Sequence, residues 1–238
     1  MRIKNILASG CSFTQDAIGG LPPTESIGGN SFREDPDYQC SVPKSWASFL
    51  AKQIDPDSFV NCAAGSHGNH LVSKTIVDCL EKFNYRSDNT LVIFNVSDMA
   101  RLDIETAYNT DNDNIHWTPA ILDYSFLKPK SLQWRQHLLD TEVEQIEQQS
   151  VRSLKRLFEY LKDNEYPFVF VCMKDYTDMP LIQQYQDHLV PLPGNGMYEF
   201  CNSINRISKD DFHPDPLGHQ AVAELAYNFI HKKYNPGE

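Results

Sequence analysis

The chain is short of positive charge, of long apolar runs and of paired cysteines, and each shortage excludes something. Lys and Arg number 21 against 32 Asp and Glu, a formal net charge of -11 with a pI near 5.1. Nucleic acid and anionic membranes select a positive surface field, so neither is expected as the main partner. No stretch reaches the length of a membrane span, and the opening MRIKNILASG is too short an apolar run for a secretory leader. Six cysteines stand at 11, 40, 62, 79, 172 and 201, none in a C-x-x-C pair, so a structural zinc is not expected and all six read as reduced thiols. The expectation is a cytoplasmic chain that carries no metal.

What is present is enough apolar material, 41% of 238 residues, for one domain spanning 1–238. Four continuous apolar runs, KNILAS (4–9), SFVNCAA (58–64), TLVIFNV (90–96) and FVFVCM (168–173), suit strands buried on both faces. Between them lie amphipathic patterns. Residues 45–54 carry Trp46, Phe49, Leu50 and Ile54 on one stripe; residues 70–83 carry Leu71, Ile76, Cys79, Leu80 and Phe83; residues 141–164 carry Val151, Leu154, Leu157, Phe158 and Leu161. The last helix has Asp215 to cap it, Pro216 at its first position, and Ala221, Leu225, Phe229 and Ile230 inward, with His219 expected on its surface. This alternation predicts a three-layer α/β fold around a parallel sheet. Two segments without period, 15–43 and 102–140, read as long loop insertions at the carboxyl ends of strands, where open α/β sheets bind ligands. They serve as functional loops or lids, or as permissive surface insertions. Trp117, Tyr124 and Trp134 in the second either stack on sugar rings or form a mini-core.

Chemistry concentrates at the two ends. Gly10-Cys11-Ser12-Phe13-Thr14 follows a buried strand, so a turn presents Ser12 at the sheet edge. A serine hydroxyl needs a base to take its proton. Asp210-Asp211-Phe212-His213 supplies one in His213, with Asp210 spaced to hold its imidazole. Ser12 is preferred to Cys11 as nucleophile, and Asp210 to Asp211 and Asp215 as the acid.

Taken together, these pieces resemble the SGNH (GDSL-type) hydrolase family. ILASGCSFT (6–14) resembles its first block, NCAAGSHGN (61–69) its second, TLVIFNVSDMAR (90–101) falls where its third would be, and Asp210 to His213 matches its last. The G-C-S-F-T variant is similar to a branch of bacterial and phage proteins, which would allow a virion-associated location. The resemblance implies a three-layer α/β/α sandwich, a flavodoxin-like parallel sheet of about five strands, no cofactor, and ester hydrolysis through an acyl-enzyme. It implies that Ser12 attacks, His213 is base then acid, and Asp210 orients His213. The oxyanion hole would draw on the Ser12 N–H and on a donor from Gly65, Ser66 or Gly68. The third block departs: where the family has G-x-N-D, this chain has Val96-Ser97-Asp98-Met99. An ionised Asp98 would repel an oxyanion, so Asn95 or Ser97 substitutes, or the hole has fewer donors.

Arg101 either anchors an anionic or polyol part of the substrate or pairs with an acid. His67 and His70 read as polar loop residues rather than metal ligands. The function expected is a serine esterase acting on an acetyl or similar ester, with a small-molecule or carbohydrate ester as partner. The alternative is a non-catalytic glycan-binding or structural module on the same scaffold. A phosphate-binding turn at 10–14 fits less well, because it lacks the lysine of a P-loop.

Overall fold

A computed structural model describes residues 2–15, 26–27, 30–31, 45–63, 67–106, 116–121, 143–209 and 212–234. Four apolar runs become the parallel strands β1 (Asn5–Ser9), β4 (Ser58–Asn61), β5 (Thr90–Val96) and β8 (Phe168–Cys172), in the order β4-β1-β5-β8. Two small antiparallel pairs lie outside this sheet: β2 (Ser26–Ile27) with β3 (Asn30–Ser31), and β6 (Arg101–Thr106) with β7 (His116–Ile121). Within the second insertion the chain therefore forms a β-hairpin. Trp117 lies on β7 but its side chain, like Tyr124 and Trp134, falls outside what is described.

β5 and β8 are buried at every residue, as their unbroken apolar character requires. Successive residues point to opposite faces and feed two cores. On one face Ile6, Ala8, Leu91, Ile93 and Val171 pack beneath α1 (Trp46–Ile54) and the last helix, α6 (Pro216–Tyr234). On the other, Leu7, Val92, Phe94 and Phe170 pack beneath α2 (Asn69–Lys82) and α3 (Val143–Asp163). The short α4 (Pro180–Gln184) and α5 (Met197–Ser203) follow β8. The result is the three-layer sandwich that the alternation predicts.

The expected fifth strand is corrected. Among the described residues the sheet has four strands, and beyond β8 it continues only as one parallel bridge, Phe170 to Leu189, with Val190 N–H donating to the Phe170 carbonyl. Pro191 and Pro193 follow directly and bring no backbone donor, so the ladder ends there.

α1 begins with a reciprocal cap: Ser45 Oγ accepts from Ser48 N–H, and Ser48 Oγ accepts from Ser45 N–H. α6 begins as expected, with Asp215 Oδ1 accepting from Gly218 N–H at 2.7 Å behind Pro216. His219 is not on the surface. It is 6% exposed, and its Nδ1 accepts from Trp46 N–H at 3.3 Å, supplying an acceptor to a first-turn amide of α1. Five described cysteines are buried free thiols, with Cys62 and Cys79 Sγ atoms 3.2 Å apart. Among the described residues no helix is long and apolar enough to cross a membrane.

The α2/α3 core is an aromatic stack. Phe158 lies 4.4 Å from Tyr185 and 5.0 Å from Phe170, ring centre to ring centre, and is fully buried. Phe158→Ala should lower stability by about 3–5 kcal/mol. Urea unfolding should show this as an earlier midpoint with an unchanged slope; a loss within error of zero would contradict this packing.

Candidate active site

The connection after β1 leads through α1 toward β4, while that after β5 leads through α3 toward β8 on the opposite face. The strand order therefore reverses between β1 and β5, and a crevice opens at their carboxyl ends. Ser12 follows β1 and Ser97 follows β5, so both flank that crevice.

Gly10 makes the turn that presents Ser12. Its φ is +155°, and a Cβ there would sit 2.6 Å from Thr14 Oγ1 and 3.0 Å from Asn95 Cβ, so only glycine fits. The turn closes as Thr14 and Gln15 N–H both donate to the Cys11 carbonyl. Three neighbours then fasten it. The Trp46 indole donates to Thr14 Oγ1 at 3.0 Å, Asn61 Nδ2 donates to the Thr14 carbonyl at 2.9 Å, and the Cys11 thiol donates to Asn95 Oδ1 at 2.9 Å. Cys11 is wholly buried, whereas Ser12 is half-buried.

His213 arrives from the other end of the chain. Its Nε2 lies 2.7 Å from Ser12 Oγ, and its ring sits 5.1 Å from that of Phe13, tilted by 46°. The backbone around it is a tight loop. Ser208 N–H donates to the His213 carbonyl, Phe212 N–H to the Ser208 carbonyl, and Asp215 N–H to the Arg206 carbonyl, just before the cap of α6. Phe212, the residue before His213, takes φ +59° and is 64% exposed. Asp210 and Asp211 lie outside the described residues, as do Gly65 and Ser66.

The remaining candidates are drawn into a second network. Asn69 clamps Ser97: its Oδ1 accepts from Ser97 N–H at 2.8 Å and its Nδ2 donates to the Ser97 carbonyl at 3.2 Å. Ser97 Oγ donates to the His67 carbonyl at 2.7 Å. Gly68 N–H donates to Asp103 Oδ1 at 2.8 Å, and Leu71 N–H to Asp103 Oδ2 at 2.9 Å. The N–H and O–H of Ser97 and the N–H of Gly68 thus donate within the protein in this arrangement. Asn95 is fully buried, its Oδ1 taken by Cys11 and its Nδ2 donating to the Val96 carbonyl at 3.2 Å. By contrast, the Ser12 N–H has no backbone acceptor among the described residues.

Arg101 forms no ion pair among those described; its Nη1 donates to the His67 carbonyl and to Ser97 Oγ, at 3.3 and 3.0 Å. His67 lies in the loop between β4 and α2 but is buried there, and His70 belongs to the first turn of α2, its Nδ1 3.3 Å from Ser153 Oγ. Asp98 does not stand as a bare charge, because Lys174 Nζ lies 2.5 Å from its Oδ2. Burial raises the Asp98 carboxyl, but Lys174, the Ala100 N–H and Arg101 together hold it below its ordinary range. Asn69 and Asp103 were missed in the sequence. The available signal was α2 beginning at Gly68-Asn69 with no side-chain cap and no acid in its first turn, which demands an acceptor from elsewhere.

No protein-family model and no curated protein matches the chain. Solved structures do. The Bacillus subtilis protein YxiM is similar over 99% of this chain and 58% of its own, at 13% identity and a TM-score of 0.55, so this chain spans 58% of its length. The psychrotrophic esterase EstA from Pseudoalteromonas sp., in a structure inhibited by monoethylphosphonate, is similar over 98% of this chain and 99% of its own, at 13% identity and a TM-score of 0.50. TesA is similar over 95% of this chain and 97% of its own, at 10% identity and a TM-score of 0.50. The likeness is one of architecture alone: a parallel sheet between two layers of helices.

Two buried groups in the second network carry opposite acid–base liabilities. Burial, helped by the Arg101 cation, pushes the His67 imidazole down to about 4. Burial pushes the Asp103 carboxyl up to about 6, against the lowering pull of the Leu71 and Gly68 N–H groups and of Arg101. Between its ordinary value of 6.5 and about 4, His67 binds a proton only in the unfolded chain, so it removes stability as pH falls. Asp103 does the reverse: its contribution is full below its ordinary 3.8 and is lost as pH rises through about 6. Each shift corresponds to about 3 kcal/mol, and the two oppose across the shared window. Asp103→Asn should therefore lose stability toward acid there and His67→Gln should gain it, relative to a flatter wild type. Urea unfolding at a series of pH values checks this; slopes of one sign in both variants would contradict it.

Proposed function

We propose that the chain is a serine-dependent ester hydrolase, with Ser12 as nucleophile and His213 as general base and then acid. The observation that carries this reading is the 2.7 Å approach of His213 Nε2 to Ser12 Oγ at the crevice of the sheet. As Ser12 attacks the ester carbonyl, its proton passes to Nε2, and the alkoxide that leaves recovers that proton from the imidazolium. The acyl-enzyme is then opened by a water deprotonated at the same nitrogen. Asp210 is assigned to orient His213, by its spacing in the sequence. The oxyanion is assigned to the Ser12 N–H and to a donor from Gly65 or Ser66, with Asn95 beneath the turn polarising Cys11 rather than the substrate. The esterase EstA, which shares the fold, supports the reaction class.

The substrate class proposed is an acetyl or similarly small ester, on a carbohydrate or another small molecule. The second reading, a non-catalytic glycan-binding or structural module, is favoured by one observation: the N–H groups of Gly68 and Ser97 and the Ser97 hydroxyl donate within the protein in this arrangement. Mutagenesis separates the two. Purified protein should hydrolyse p-nitrophenyl acetate. Ser12→Ala and His213→Ala should each lower kcat at least about a thousandfold, and the double variant should be scarcely worse than either, because the two act as one unit. Hydrolysis by Ser12→Ala equal to that of the wild type would remove the hydrolase reading and leave the binding module.

A further inference from the structure

β6 opens the second insertion, and its first and third residues carry opposite charge. Arg101 and Asp103 are two apart on a strand, so they share one face. That face lies on the approach to α2. Arg101 reaches the His67 carbonyl and Ser97 Oγ, while Asp103 receives the N–H groups of Gly68 and Leu71. The fit is close: a Cβ on Gly68 would lie 2.7 Å from Asp103 Oδ2 and 2.9 Å from the Arg101 carbonyl.

A helix start needs no such arrangement for its own sake. Serine, aspartate or asparagine at the first position caps a helix from within the chain. Here that position is Gly68 with no side-chain cap, and the acceptor comes from 35 residues away. A local cap would fix only the first turn of α2. The carboxylate on β6 fixes Gly68 and Leu71, while Arg101 on the same strand and Ser97 at the end of β5 both hold the His67 carbonyl. At the other end of the same connection, Asn61 holds Ala63 N–H at 3.1 Å and the Thr14 carbonyl at 2.9 Å, tying it to the Ser12 turn. Asn61 and Ala63 are therefore tied to the Ser12 turn, and His67 and Gly68 to β6. The charge at Asp103 is buried, with 4% exposure, which a neutral cap would avoid.

We propose that Arg101 and Asp103 are positioning residues, which set His67 and Gly68 against Ser97 and so hold the β4–α2 connection in register with Ser12 while negative charge develops on the substrate oxygen. Neither residue contacts the substrate in this role. The inference rests on the hydrolase reading, deepens it, and takes Arg101 away from substrate binding.

The test uses steady-state hydrolysis of p-nitrophenyl acetate by the full chain, with Ser12→Ala as the blank. Asp103→Asn keeps the volume and one acceptor but removes the charge. It should lower kcat by about tenfold to a hundredfold, the range that small misplacement near a reacting centre produces, with KM within about twofold. Arg101→Gln should lower kcat in the same way, and Arg101→Lys should recover most of it. If Asp103→Asn does not fold, the Arg101 pair decides. A wild type without Ser12-dependent turnover overturns the hydrolase reading and this proposal with it. With an active wild type, unchanged kcat in folded variants, or a rise in KM at constant kcat, overturns the positioning role alone.

Discussion

Thr14 is the residue on which the turn that carries Ser12 depends. Its N–H closes the turn on Cys11, its hydroxyl receives the Trp46 indole and its carbonyl receives the Asn61 amide. Through those bonds α1, β4 and the turn after β1 become one rigid piece, and Ser12 sits two residues from the knot. Both partners are themselves anchored. Trp46 is fully buried and its N–H is accepted by His219 on α6, so the helix that follows His213 is tied to the helix that braces Ser12. The 2.7 Å separation of Ser12 and His213 is thus set by packing between α1 and α6 together with the contact of the His213 ring with Phe13.

The crevice side is built differently. Around Ser12 the fastening bonds are neutral; around Gly68 and Ser97 they run to a buried carboxylate and a guanidinium. Neutral bonds hold the turn without any large desolvation penalty, whereas an ionised Asp103 among buried groups is tolerated only because backbone N–H groups and Arg101 face it. The hairpin β6–β7 is what delivers both charges. In its described part the second insertion is the antiparallel pair β6–β7.

The scaffold was legible because its signals are local. Unbroken apolar runs marked four strands, stripes at helical spacing marked α1, α2, α3 and α6, and Asp215-Pro216 marked the start of the last helix to the residue. The fifth strand was expected from the resemblance alone, and no apolar run supported it. His219 was misplaced because a histidine reads as surface unless its acceptor role is known, and the donor it serves lies 173 residues away. The partners of Gly68 and Ser97, which are Asp103 and Asn69, were not legible for the same reason: hydrogen bonds between residues 28 to 35 apart name no partner in a local window. Ser12 and His213 were legible only as a resemblance between distant blocks; neither residue alone announces chemistry.

The separation of Ser12 and His213, 201 residues, has a consequence for the order in which the molecule comes into being. During synthesis β1 and its turn emerge long before α6. Until the final helix docks on α1, the serine has no imidazole beside it and is an ordinary alcohol. The Ser12–His213 pair therefore exists only in a chain whose first strand and α6 have already come together.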